Sequence, residues 1–168
     1  MRHTHAGFTL MELLVVIAIA AVLSSLAVPS FQASVRSAQT RDAATSFYSA
    51  LARARSEAIA RNVDINVCPR NVTDLNTATC FTGTGADAAW RNGWIVYQGV
   101  TPTDVLLIHE PIADSLLLSG AGGLLTFDAS GRVTTLANFD LCRGAGDTKG
   151  RRISVSRSGR VALELKTC

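Results

Sequence analysis

Hydrophobic residues are spread unevenly along the 168-residue chain. From Phe8 to Phe31 only one charged residue, Glu12, interrupts an otherwise apolar or small-residue run of 24 positions. Helix rises about 1.5 Å per residue, so this run predicts a helix long enough to cross a bilayer core of about 30 Å. Beyond Pro29 the pattern stays helical but becomes amphipathic. Ala44, Phe47, Leu51, Ala54 and Ala58 fall at steps of three and four and mark one apolar face. Arg41, Arg53, Arg55, Glu57 and Arg61 lie off that face, and Glu57 is four residues from both Arg53 and Arg61, the spacing of two surface ion pairs. Pro29 removes one backbone hydrogen bond and predicts a kink or local loosening. The helix is expected to stop near Asn62, where Val63-Asp64-Ile65-Asn66-Val67 switches to alternation.

Short β-type runs then alternate with Gly, Asn, Asp and Thr clusters. Strands are predicted at Ile65–Cys68, Trp94–Tyr97, Val105–Glu110, Leu116–Leu118, Leu124–Phe127, Thr134–Leu136, Arg152–Ser156 and Val161–Leu165. Their regular spacing suggests antiparallel sheet. Asp128-Ala129-Ser130-Gly131 and Ser156-Arg157-Ser158-Gly159 read as turns between strands. Trp90 and Trp94 read as core packing around a turn at Asn92-Gly93.

Net charge adds little, but its distribution matters. The whole chain carries a formal +3. Between Leu141 and Cys168 stand seven basic residues against Asp147 and Glu164, so a basic C-terminal segment follows a mildly acidic body. Four cysteines, Cys68, Cys80, Cys142 and Cys168, include no Cys-x-x-Cys, and the histidines are His3, His5 and His109. That set argues for disulfides in an oxidising compartment rather than a metal site.

The apolar run sits oddly for a secretory signal, which would be cut after it at a small-x-small site; Ala27-Val28-Pro29 is a poor one. Met1 to Gly7, with Arg2, forms a short polar leader that the positive-inside rule keeps cytoplasmic. A carboxylate deep in a membrane costs roughly 2.5–3.5 kcal/mol on insertion scales and so demands a partner. A cut between Gly7 and Phe8 would supply one: the new amine, on the same helix or a neighbour's, can neutralise Glu12 at low dielectric.

The string Gly7-Phe8-Thr9-Leu10-Met11-Glu12-Leu13-Leu14 closely resembles the class III signal of type IV pilins and type II secretion pseudopilins. The resemblance implies cleavage after Gly7 by a prepilin peptidase, methylation of Phe8, a role for Glu12 in pairing with a neighbouring subunit's amine, and a helix-bending role for Pro29. The head resembles the GspH/FimT branch, which includes FimU-like minor pilins. It does so through Cys68-Pro69 with Cys80, Trp90-Arg91-Asn92-Gly93-Trp94-Ile95-Val96-Tyr97, Phe127-Asp128-Ala129-Ser130-Gly131, Cys142, and Arg152 to Val161. Gln98-Gly99 replaces the acidic residue common after the Trp-containing strand in that branch. Of the three disulfide pairings open to four cysteines, the sequential one, Cys68–Cys80 with Cys142–Cys168, is the expectation.

No catalytic set is evident. His109-Glu110 has no nucleophile in view, and Gly120-Ala121-Gly122-Gly123 lacks the Lys-Ser/Thr of a phosphate loop. The chemistry most worth weighing is cationic: Lys149, Arg151, Arg152, Arg157 and Arg160 offer contacts to a phosphate backbone. The DNA-uptake branch of the resembled family carries a C-terminal Gly-Arg-x-Arg. Here Gly159-Arg160-Val161-Ala162 keeps only the first arginine, and no aromatic residue is interleaved for base stacking.

These readings converge on an α+β chain of the pilin type: a long N-terminal helix, transmembrane in its first half, packed on an antiparallel β-sheet head. The expected segments are a leader (1–7), a transmembrane and assembly helix (8–31), an amphipathic helical half (32–62) and a periplasmic β-rich head (63–168). The expected function is that of a minor pilin priming or joining a type IV pilus, anchored in the inner membrane before extraction. The expected partners are prepilin peptidase and other minor and major pilins, with no cofactor, metal, small-molecule substrate or enzymatic activity. A minor pseudopilin of type II secretion and a DNA-binding minor pilin of natural transformation are the alternatives.

Overall fold

A computed structural model describes residues 9–71, 78–83, 85, 89–120 and 122–168, except the side chains of 25–30. It opens with helix α1 (Leu10–Arg61), 52 residues long. The Thr9 side-chain oxygen accepts from the Glu12 backbone N–H (3.2 Å), which caps the first turn. At the other end Asn62 takes a left-handed φ of 55°, and the Val63 N–H returns to the Ala58 carbonyl (3.2 Å), closing the helix as Schellman-type caps do. The chain forms two compact units, the first reaching Ala38 and the second running from Gln39 to Cys168.

In the first unit, α1 carries apolar side chains exposed all round, from Leu10 and Met11 through Val16 and Ile19 to Leu23. Among the described residues nothing covers them. The helix continues through Pro29, whose side chain lies outside the described residues. Among the described residues no helix is long and apolar enough to cross a membrane.

Among the described residues the second unit holds eight strands in two antiparallel sheets, the antiparallel head the sequence predicts. The first sheet orders β3 (Asp104–His109), β2 (Trp94–Gln98), β1 (Ile65–Pro69) and β5 (Leu125–Phe127). The second orders β4 (Leu117–Gly120), β6 (Ala137–Cys142), β7 (Gly150–Val155) and β8 (Val161–Lys166). One buried core joins them to the helix. Ala44, Phe47, Leu51, Ala54 and Ala58 are all buried, as their spacing predicted, against Val67, Trp94, Val96 and Phe127 of one sheet and Leu118, Phe139, Leu141 and Ile153 of the other. Glu57 makes both predicted pairs, with Arg61 at 2.7 Å and Arg53 at 3.8 Å.

The strand expected at Thr134–Leu136 is not there. Thr134 and Thr135 form a bend, and the strand begins at Ala137. The β-branched threonines pointed to the wrong place because propensity is weaker than alternation. Ala137, Phe139 and Leu141 turn inward while Asn138 and Asp140 turn out.

Outside the first sheet, Cys68, Ile95 and Tyr97 form a second small apolar cluster under Ala78, Cys80 and Val105. The crossing segment is held by the Cys68–Cys80 disulfide (Cα–Cα 5.6 Å) and by backbone bonds from Asn71 to Thr79 and from Phe81 to Pro69. Cys142–Cys168 (Cα–Cα 6.1 Å) ties the C-terminus back to the end of β6. Trp90, in the 3-10 turn Trp90–Asn92, donates its indole N–H to the Gly122 carbonyl (3.0 Å), and both tryptophans are fully buried.

Candidate interaction sites

Two regions carry the residues singled out by sequence. The first is the start of α1. Gly7 and Phe8 lie outside the described residues. Glu12 follows Thr9 by three positions and occupies the first helical turn, where a carboxylate faces the positive end of the helix dipole. Thr9 and Glu12 thus have a local role in starting the helix that the sequence reading overlooked. The signal was available in Thr-x-x-Glu.

The second region is the basic C-terminal segment, and its five cations do not gather. Arg152 lies on the outer face of the second sheet and grips Asp140 with two hydrogen bonds (2.8 and 3.1 Å). Lys166 reaches the same carboxylate from β8. The register explains this: Asp140 pairs with Arg152, and Arg152 with Glu164, so the charges alternate across three strands. Arg151 turns its guanidinium onto the Lys149 and Gly150 carbonyls (3.0 and 3.2 Å). Lys149 is exposed at the start of β7, whereas Arg157 and Arg160 stand exposed in the turn after its end. The six residues of β7 put roughly 20 Å between them at about 3.3 Å per residue.

That turn has a twin. Ser156-Arg157-Ser158-Gly159-Arg160 and Asp128-Ala129-Ser130-Gly131-Arg132 are wired alike. In each the first residue's N–H bonds to the fifth residue's carbonyl, and the glycine N–H to the first residue's carbonyl. In each, too, the first side chain accepts from the fifth residue's N–H. Gly131 and Gly159 have φ of 73° and 74°. The turns lie against each other, with the Val133 N–H donating to the Arg157 carbonyl (3.1 Å). Arg55 reaches across from α1 to donate its Nε to the Gly131 carbonyl (3.1 Å), and Ile59 packs on Gly131. Arg132 and Arg55 therefore join Arg157 and Arg160, although they stand far from them in sequence. The repeat of Ser-Gly-Arg was the only sequence clue.

Asp140 makes a testable contribution to stability. Its carboxyl is held below the usual carboxylate range, chiefly by the Arg152 hydrogen bond, which outweighs the opposing effect of burial, with Lys166 adding to the lowering. Arg152 is correspondingly raised by Asp140. A lowered folded-state value means the stabilisation is present above the unfolded carboxylate value of about 3.9 and is lost as pH falls below it toward the folded value. Thermal unfolding across pH 2 to 7 should therefore show a loss of stability in acid that is shallower in Asp140→Asn, which starts from a lower plateau. Identical pH profiles would refute this role.

An open groove of about 520 Å³ is lined by Phe81, Tyr97, Val100, Pro102 and Leu124 among others, and burial raises the Tyr97 hydroxyl above its ordinary value. His109 stacks on Trp94 with ring centroids 3.9 Å apart, and Glu110 pairs with the largely buried Arg70 (2.6 Å). Among the described residues no group of three or more His, Cys, Asp or Glu side chains is placed to hold a metal ion.

Residues 43–159 match the family described as Type II transport protein GspH, and residues 2–28 match the prokaryotic N-terminal methylation motif. The structure is similar to that of the type IV minor pilin FimU of Pseudomonas aeruginosa, with a TM-score of 0.61 and 25% identity over 77% of this chain and 92% of that one. It also shares its fold with the minor pseudopilin EpsH from the type 2 secretion system of Vibrio cholerae, with a TM-score of 0.52 and 16% identity over 76% of this chain and 97% of that one. No curated protein sequence matches the chain significantly.

Proposed function

Because the chain belongs to the GspH family of minor pilins and pseudopilins and opens with an N-terminal methylation motif, we propose that it is a minor pilin that primes or joins assembly of a type IV pilus. The observation that carries this reading is the first unit of α1: apolar side chains exposed on every side with one carboxylate, Glu12, near its start. A helix apolar all round needs lipid or other helices around it. A membrane supplies the first surroundings and a filament of like subunits the second.

In this reading residues 1–7 form a cytoplasmic leader, residues 8–31 cross the inner membrane, residues 32–62 continue the helix, and residues 63–168 form a periplasmic head. Prepilin peptidase cuts after Gly7, and the methylated Phe8 amine meets Glu12 of a neighbouring pilin. Pro29 marks where the helix can bend during packing. The disulfides suit an oxidising periplasm. The likeness to FimU, greater than that to EpsH in both identity and TM-score, supports the pilus over the secretion system. A DNA-uptake role would draw on Lys149, Arg151, Arg152, Arg157 and Arg160 together. Their division between the two ends of β7, with Arg152 held by Asp140, favours assembly instead.

The test is made in cells. The mature wild-type chain should begin at a methylated Phe8 by mass spectrometry, whereas Gly7→Val should retain residues 1–7 and stay in the inner membrane. Deleting the chain should reduce surface pili and leave secretion intact. Loss of secretion with normal pili would replace this reading by the pseudopilin one.

A further inference from the structure

We infer that the twin turns, with the end of α1, form a docking face for a carboxylate-bearing protein surface, that of another filament subunit. The inference rests on the reading of the chain as a pilin. Arg132, Arg157 and Arg160 are all exposed, and none forms an ion pair among the described residues. Arg55 adds a fourth positive charge beneath them, bonded only to a carbonyl in the contacts that place it here. The one acid in the turns, Asp128, spends its carboxylate on the Ser130 and Arg132 N–H groups and the Ser130 hydroxyl. All three bonds fall on one oxygen, which shapes the turn, and the carboxylate also attracts Arg132, so four arginines face a single acid.

The face is also rigid, and rigidity lowers the cost of ordering on binding. Gly159 sits so close to the Gly131 carbonyl that a Cβ there would meet it, and each turn closes with its own hydrogen bonds. The arginines thus project from fixed backbone.

Its composition selects a protein over a nucleic acid. Ile59 lies against Gly131 and is 51% exposed, so an apolar side chain borders the turns that carry the arginines. Apolar centres flanked by arginine are a mark of protein interfaces. A phosphate backbone would instead require the positive charge to continue along the surface. Here the next cation of the segment, Arg152, is held by Asp140, Lys149 and Arg151 lie at the far end of β7, and neither turn contains an aromatic residue.

The full chain in detergent micelles tests this against two probes of equal charge: a glutamate-rich peptide with one central leucine, and a short DNA duplex. The peptide should bind more tightly than the duplex, and its binding should weaken with salt. The R132Q/R157Q/R160Q variant should lose roughly tenfold or more in peptide affinity, Ile59→Ser should lose severalfold, and Lys149→Gln should lose none. The altered side chains are exposed, and circular dichroism checks that each variant is folded. Tighter, arginine-dependent binding of the duplex would overturn the inference in favour of nucleic acid, and peptide binding indifferent to the three arginines would overturn it outright.

In cells, R132E/R157E/R160E should be cut and membrane-inserted normally yet fail to support pili. Suppressors should change carboxylates of another subunit to basic residues. Normal piliation in this variant would refute the docking face. Normal piliation in a strain lacking the whole chain would instead refute the pilus reading and leave the peptide result to judge the face.

Discussion

Gly159→Ala should be among the most damaging single-atom changes in the head, with a loss of about 3 kcal/mol or more in unfolding free energy. Two costs add. Gly159 has φ of 74°, a conformation that costs an L-residue roughly 1–2 kcal/mol. The new Cβ would also lie less than 3.0 Å from the Gly131 carbonyl oxygen, with the Arg55 Nε at 3.0 Å. Neither side yields easily. Gly131 is fixed by its N–H bond to the Asp128 carbonyl (2.7 Å), and its oxygen already accepts from Arg55. Relief requires the twin turns to part, which breaks the Val133-to-Arg157 backbone bond and lifts Ile59 from its seat. Gly146→Ala is the control: its φ of 81° carries the same conformational cost, but nothing lies within 4 Å of its Cβ. Denaturant unfolding of the two variants should separate them by about 2 kcal/mol, and equal losses would show that conformation alone, not the turn-on-turn contact, makes Gly159 necessary.

The contact between those turns could not be read from the chain, though each turn could. Asp128 to Gly131 and Ser156 to Gly159 carry local turn chemistry, which acts over four or five residues and is visible in sequence. That they touch depends on the sheets that carry them. The same limit applies to Arg152, which reads as a free cation until register sets it opposite Asp140. Helical spacing was easier: Phe47 and its apolar companions announce the buried face because packing a helix on a core imposes a period of 3.6. Strand β6 is obscured in sequence because its outward positions, Asn138 and Asp140, are poor strand formers, whereas Thr134 and Thr135 just before it are good ones. The assembly segment is legible for a different reason. A single carboxylate in an apolar run conflicts with lipid solubility, and such a conflict points to function.

The same helical spacing identifies the residue on which the helix–sheet packing most depends. Phe47→Ala should cost about 3–5 kcal/mol, the range for removing a large aromatic from a packed core. Phe47 is fully buried and meets three rings edge-on: Trp90 at 5.4 Å, Trp94 at 4.8 Å and Phe139 at 4.8 Å between centroids. Trp94 belongs to the first sheet and Phe139 to the second, so one side chain of α1 bridges both sheets. Its loss removes transfer energy, leaves a cavity between rigid rings that cannot close, and deletes three aromatic pairs at about 0.5–1.5 kcal/mol each. Trp90 and Phe139 also touch, with centroids 5.0 Å apart, which props the cavity open. Tyr48, the next residue, is only half-buried, and Tyr48→Ala should cost much less. Tryptophan emission gives the readout, because Trp90 and Trp94 are the only tryptophans and both border the cavity. Phe47→Ala should lower the unfolding midpoint and, at temperatures where it stays folded, shift that emission to the red as water reaches the rings. A midpoint close to that of Tyr48→Ala would mean that the sheets hold each other without the helix, and that α1 rests on the head rather than organising it.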